Sequence, residues 1–95
     1  MSKSILQNKK ECYITGSTNN LHKHHIFEGI ANRKLSERDG LWLWLRADWH
    51  NLSDYGVHFN KELDLKLKRK AQLKWQEYYH KTKEDFIKEY GKSYL

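Results

Sequence analysis

From Asn60 onward the apolar residues recur at helical spacing. Leu63, Leu67, Ala71 and Tyr78 follow one another at intervals of four, four and seven, with Leu73 and Trp75 flanking the stripe. Asn60 is a good N-cap and Glu62 falls in the positively polarised first turn, so the spacing predicts a long helix starting there. The pattern breaks near His80 and Lys81. Thr82 and Asp85 then have the form of a capping box, with Asp in place of the usual Glu. A last short helix carries Phe86, Ile87 and Tyr90, and Gly91 is its natural stop.

The first sixty residues are patterned differently. "MSKSILQNKK" (1–10) is polar and basic and reads as a frayed end; "CYIT" (12–15) reads as a short strand. "GSTNN" (16–20) is dense in turn formers and reverses the chain. "LHKHHIF" (21–27) then reads as a second strand, closed by Glu28 and Gly29. The polar, glycine-bracketed segment "GIANRKLSERDG" (29–40) is most simply a loop. "LWLWL" (41–45) is a continuous apolar run of strand length, buried on both faces. "RADWHNLSDYG" (46–56) suits a helical turn or two ended by Gly56, and "VHF" (57–59) begins the next element.

Size and composition narrow the possibilities. A chain of 95 residues forms one domain, and such a chain buries roughly 60–65% of its unfolded surface, enough for one modest core. Aromatic residues make up 14% of it, so that core is built from a few large rings with Leu and Ile. No run approaches the ~18 apolar residues of a membrane span, and the start lacks a secretory apolar stretch. The single Cys12 excludes an internal disulfide and a four-cysteine zinc ribbon, which fits a cytoplasmic setting. Eighteen Lys and Arg against twelve Asp and Glu leave a net charge of +6, favouring a polyanionic partner, nucleic acid ahead of membrane.

The histidines carry the chemistry. His22, His24 and His25 fall in one strand, His50 follows the apolar strand, and His58 and His80 come later. If the strand at 41–45 folds back on 21–27 as a hairpin, His50 and His58 return towards the first group. Imidazole is the commonest protein metal ligand, and a cluster of three argues for a site. His24, His25, His50 and His58 each sit beside apolar or aromatic residues, where an unpartnered imidazole costs free energy. His22 and His80 read as ordinary solvated side chains.

The ordered set "HHIF", then "NRKLSERDGLWLWLRADWHNLSDYGVHFN", resembles the HNH nucleases, and most closely small phage-encoded members with HHIF, RK-S, a short apolar strand, WHN or HHN, and GVHFN. More distantly the order is similar to the RecA-dependent recombination-enhancement nuclease of phages. The likeness covers about residues 12–60, and the tail "DFIKEYGKSYL" also reads like that phage group. It implies an α+β fold: a ββα-metal core over 12–60 with a short hairpin, and a C-terminal helical extension over 60–95. It implies a phage-encoded protein working in a bacterial cytoplasm on DNA, cutting one or both strands.

Carried over residue by residue, the resemblance makes His24, His50 and His58 the metal ligands and His25 the general base. Asn51 would orient the base or the scissile phosphate, and Arg33 and Lys34 would contact phosphate oxygens. Many relatives hold a structural zinc with two cysteine pairs. Here Thr15, Arg46 and Trp49 occupy the other three positions, so no structural zinc is expected, and Trp42, Trp44 and Trp49 would supply packing instead. The Asn that polarises the base in many relatives is not evident; Asp39 or Ser36 would have to serve.

The chemistry suits those residues. A neutral His with an unperturbed pKa near ~6.5 can take a proton from water at physiological pH, while one divalent cation offsets charge on the phosphoryl and leaving oxygens. Three imidazoles favour Zn²⁺, Ni²⁺ or Mn²⁺ over Mg²⁺, and Mn²⁺ is the expected best activator. Adjacent strand residues point to opposite faces, so the two roles at His24 and His25 require the pair to lie where the strand bends or ends. On the long helix, Lys66, Arg69 and Lys70, with Lys61, Lys68 and Lys74, form either a phosphate-contacting stripe or a solvated lysine-rich face. So short a chain offers few base-reading surfaces, which implies weak sequence choice or a protein partner for targeting. Two other readings stay open: an inactive relative that binds DNA or inhibits a host nuclease, and a structural zinc-binding adaptor.

Overall fold

The computed structural model describes residues 3–95. The chain runs β1 (Leu21–His25), α1 (Ile30–Asp39), β2 (Trp42–Arg46), α2 (Ala47–His50), a 3-10 turn (Val57–Phe59), α3 (Lys61–Tyr79) and α4 (Lys83–Tyr90). It is a small α+β domain: a two-stranded antiparallel sheet with helices packed around it. The Cα radius of gyration is 12.9 Å, against roughly 12.4 Å for one compact domain of this length. Among the described residues no helix is long and apolar enough to cross a membrane.

β1 and β2 pair in the register His22↔Leu45, Lys23↔Trp44, His24↔Leu43 and His25↔Trp42. Directly opposed residues share a face. One face therefore carries His22, His24, Leu43 and Leu45, the other Lys23, His25, Trp42 and Trp44. Leu43 and Leu45 are sealed in the core with Ile26, Phe27, Leu41, Val57, Leu67, Ala71, Trp75, Phe86 and Tyr90. Each large apolar side chain buried there contributes roughly 1.5–3 kcal/mol.

The segment 29–40 is not the loop its polarity suggests. Ile30–Asp39 is α1, started at Gly29 (φ 89°) and stopped by Gly40 (φ 75°) in the left-handed conformation. The two glycines that looked like loop boundaries are helix ends. The inward face of α1 is polar: Ser36 and Asp39 are buried, so no apolar stripe betrays the helix. Ser36 Oγ accepts from the Phe27 N–H at 3.2 Å and donates to the Phe27 carbonyl at 3.3 Å. Asp39 accepts from Trp75 Nε1 at 3.0 Å, Tyr90 OH at 2.7 Å and Arg38 Nε at 2.7 Å, and its carbonyl accepts from Tyr79 OH. One carboxylate thus ties α1 to α3 and α4. Burial pushes its pKa up, but the bonds from Arg38, Tyr90 and Trp75 outweigh that and hold it lowered.

Two N-terminal expectations also change. Residues 12–15 form a turn, with Gly16 N–H bonded to the Cys12 carbonyl at 2.8 Å. Residues 1–2 lie outside the described part, but residues 3–10 are held along β2 rather than frayed. Trp44 N–H donates to Gln7 Oε1 at 2.9 Å, Tyr13 N–H to the Trp44 carbonyl at 2.8 Å, and Ile5 N–H to the Gly40 carbonyl at 2.9 Å. This segment covers the outer edge of β2 that a two-stranded sheet would otherwise leave open. It also explains Gly40: a Cβ there would stand 2.2 Å from the Lys3 carbonyl oxygen.

The C-terminal half follows its pattern more closely. Asn60 caps α3 by accepting from Leu63 N–H at 3.1 Å, and Thr82 and Asp85 form the reciprocal capping box of α4. The α3 stripe is rotated from the expected one: Leu67, Ala71, Gln72 and Trp75 are buried, whereas Tyr78 and Leu73 are exposed. Trp75, packed on Phe86 and bonded to Asp39, sets that rotation.

Candidate metal centre and adjoining cleft

Because His22 and His24 lie two apart on a strand, they share the core face of β1. α2 follows β2 directly and carries His50 over the same face, and the 3-10 turn after Gly56 brings His58 beside it. One ligand nitrogen from each of His24, His50 and His58 lies within 4.8 Å of the others. Ring centroids are 5.2 Å apart for His24 and His50, 5.3 Å for His24 and His58, and 4.6 Å for His50 and His58. His50 Nε2 and His58 Nε2 stand 2.9 Å apart, close to the ~3.3 Å expected of two nitrogens ~2.0 Å from one tetrahedral cation.

His24 tests whether an ion fits. It is 2% exposed, and its Nε2 is a buried polar atom without a hydrogen-bond partner among the described residues. Such a nitrogen costs roughly 1–3 kcal/mol unless something satisfies it. Burial first, then His50 and His58, lowers its pKa to about 3; burial, then His58 and His22, lowers that of His50 to about 4. Both are neutral imidazoles near pH 7, the form with a lone pair to give. The three histidines could hold a metal ion.

His25 ends β1 and faces the other way. Its Nε2 lies 2.8 Å from Glu37 Oε1, and Lys23 Nζ binds the same carboxylate at 2.8 Å. The bond from Lys23, then that from His25, lowers the Glu37 pKa to about 2, so this group is an acceptor only. Neutral His25 therefore carries its proton on Nε2 and keeps the Nδ1 lone pair. The expected partners do not touch it: Ser36 is engaged with Phe27 and Asp39 with the α3 and α4 rings. Nothing in the polar, loop-like pattern of residues 29–40 marks Glu37 as a partner of His25. As a helix, α1 brings Glu37 over the end of β1.

The imidazoles open into a recess of about 280 Å³ that His25, Glu28, Gly29 and Arg33 also line. A shallower cleft of about 620 Å³ adjoins it, bounded by His25, Gly29, Ile30, Arg33, Lys34 and Glu37. Arg33 and Lys34 are exposed on α1, and Arg33 borders both hollows. Asn51 is not brought to the imidazoles. It is exposed at the end of α2 and lines a separate recess with Leu52, Ser53, Asp54 and Phe59. Lys66, Arg69 and Lys70 are exposed on α3, although Arg69 Nε donates to the Tyr94 carbonyl at 3.2 Å and Lys70 Nζ sits 5.8 Å from the Tyr13 ring centre.

His80 is exposed at the end of α3, as read. His22 is not a solvated side chain: it is half-buried, with Nδ1 3.0 Å from His50 Nδ1. Thr15 N–H donates to Cys12 Sγ at 3.5 Å, Arg46 pairs with Asp48 at 2.7 Å, and Trp49 packs on Tyr55 and the core. No protein-family model matches the chain, and no curated protein or solved structure shows significant similarity to it.

Proposed function

We propose that the protein is a metal-dependent endonuclease of the HNH type, hydrolysing phosphodiester bonds of DNA, with β1, β2 and α2 as its ββα-metal core. The observation that carries this reading is the convergence of His24, a buried ring whose Nε2 has no hydrogen-bond partner among the described residues, with His50 and His58, while the next residue, His25, is turned to the other face and bonded to Glu37. A chelating set and a base oriented by a carboxylate, on consecutive residues at a strand end, match the division of labour that hydrolysis needs.

In this mechanism His25 accepts the proton of the attacking water at Nδ1 as the water oxygen bonds to phosphorus and the 3′ oxygen departs. Glu37 holds the ring by accepting its Nε2–H and stabilises the imidazolium that forms. Arg33, between the recess and the cleft, binds a non-bridging phosphate oxygen, and Lys34 a neighbouring phosphate. A divalent cation bound to His24, His50 and His58 would offset charge on the phosphoryl and leaving oxygens. The all-imidazole donor set favours Mn²⁺, Zn²⁺ or Ni²⁺ over Mg²⁺.

The test uses supercoiled plasmid incubated with wild type, His24→Ala and His25→Ala in Mn²⁺, Mg²⁺ or EDTA. Metal-dependent nicking lost in both variants supports the nuclease. Equal nicking by all three proteins removes it. Asn51 lies away from the imidazoles, which favours a second reading, an inactive DNA-binding or nuclease-inhibiting relative on the same scaffold. That reading gives plasmid retention without cleavage under any metal.

A further inference from the structure

We propose that His22 is a positioning residue for the metal centre: it holds His50 in the tautomer and orientation that binds a cation, without touching the ion. The inference rests on the metal site proposed above and deepens it.

Both nitrogens of His50 are engaged. Nε2 lies 2.9 Å from His58 Nε2, inside the cluster, and Nδ1 lies 3.0 Å from His22 Nδ1, on its outer side. A neutral imidazole has one N–H and one lone pair. Nε2 can serve as a ligand only with the lone pair there, which puts the proton on Nδ1. That N–H needs an acceptor, and His22 Nδ1 stands at normal hydrogen-bond distance. His22 must then carry its own proton on Nε2. The opposite tautomer of His50 would aim an N–H at His58 and remove one of the three donors.

The placement follows from the strand. His22 is two residues before His24, on the same face of β1, opposite Leu45. Its ring meets that of His50 edge-on, with centroids 5.1 Å apart and an interplanar angle of 85°. A metal-bound histidine usually gives its second N–H to a carboxylate, a carbonyl or water, and losing that partner typically weakens metal binding ~10–100-fold. Here a neutral imidazole takes the role. The other candidate for such support is Glu28 beside His58, but 3.9 Å between Oε1 and Nδ1 is too long for a hydrogen bond.

The experiment measures metal affinity of the full chain, not cleavage. Zn²⁺ is titrated in competition with a chromophoric chelator, and Co²⁺ absorption reports the ligand set, for wild type, His24→Ala, His22→Leu, His22→Ala and His22→Asn. Circular dichroism checks the fold of each. Asn carries Oδ1 on the γ-carbon, where His has Nδ1, so it can replace the acceptor. The expected result is a ~10–100-fold loss of Zn²⁺ affinity in His22→Leu and His22→Ala, an unchanged Co²⁺ band shape, and recovery in His22→Asn. Wild-type affinity in His22→Leu or His22→Ala overturns the proposal. So does a His22→Asn as weak as those two with an altered Co²⁺ spectrum, which makes His22 a ligand itself. If His22→Leu and His22→Ala do not fold, His22→Asn decides: near-wild-type affinity with the same spectrum supports the role, and a large loss overturns it. The underlying site fails separately, and visibly, if wild type and His24→Ala bind Zn²⁺ alike.

Discussion

His25 and Glu37 meet at 2.8 Å, imidazole Nε2 to carboxylate Oε1, across the end of β1 and the third turn of α1. This contact joins the two segments that the sequence left furthest apart in character, an apolar-flanked strand and a charged connection. In the proposed mechanism it determines which nitrogen of His25 receives the proton from water. Glu37→Ala is expected to slow plasmid nicking by roughly 10–100-fold, as loss of an orienting partner does at comparable sites. Zn²⁺ affinity should stay as in wild type, because His24, His50 and His58 are untouched. Nicking by Glu37→Ala at the wild-type rate would remove the carboxylate from the mechanism.

Asp39 makes an opposite kind of prediction. Its carboxylate is buried under Trp75, Tyr90 and Arg38, and Asp39→Ala leaves all three donors without it. The expected loss is about 3 kcal/mol of folding stability, read by urea unfolding with tryptophan fluorescence. Asp39→Asn, which keeps an acceptor oxygen, should lose less, and the folded fraction should cut DNA normally. A catalytic defect in folded Asp39→Asn would restore it as the partner of the base.

The metal-free protein should weaken in mild acid. His24 has its pKa lowered to about 3 in the folded chain, chiefly by burial, and regains an ordinary value near ~6.5 on unfolding. The unfolded chain therefore binds the extra proton between those limits. Stability from this group is complete above pH ~6.5 and declines by about 1 kcal/mol per pH unit as the pH falls towards 3. Urea midpoints measured in EDTA at pH 7, 6 and 5 test this, with His24→Gln expected to flatten the slope. Saturating Zn²⁺ at pH 7 should raise the midpoint, because a ligand that binds the folded chain alone stabilises it.

The cations divide by whether they are already occupied. Arg33 and Lys34 border the cleft beside His25, whereas Lys68 is paired with Asp64 at 2.8 Å and Arg69 is bonded to the Tyr94 carbonyl. Arg33→Gln should lower affinity for a DNA duplex and reduce the slope of log K against log salt by about 1, the mark of one lost phosphate contact. Lys68→Gln should change the slope far less. Equal changes in both would shift the DNA-contacting surface to α3.

How much of this could be read in the sequence depends on whether a residue's role was announced by its neighbours. β1, β2, the cap at Asn60 and the capping box at Thr82 follow from local pattern and cap chemistry, whereas the set His24, His50 and His58 is what the resemblance implies, on the condition of a hairpin that periodicity alone does not give. α1 did not show, because the residues it turns inward, Ser36 and Asp39, are polar and their burial depends on partners far along the chain. Glu37 was hidden with it. His22 alternates with His24 and so shares its face, but nothing beside it in the sequence sets it apart from a solvated side chain. The rotation of α3 depends on Trp75 finding Asp39 and Phe86, which no local pattern in α3 states.

The antiparallel register has a consequence beyond stability. Positions 24 and 25 differ by one pleat, so a single-residue slip of β1 would turn the imidazole proposed to chelate towards Glu37 and the one proposed to activate water towards the core. The backbone bonds from Ile26 to Leu41 and from Ala47 to Asn20 pin both ends of the ribbon against that exchange. Strand alignment is in this sense an encoding of chemical roles: two identical side chains are told apart by which way the ribbon is threaded.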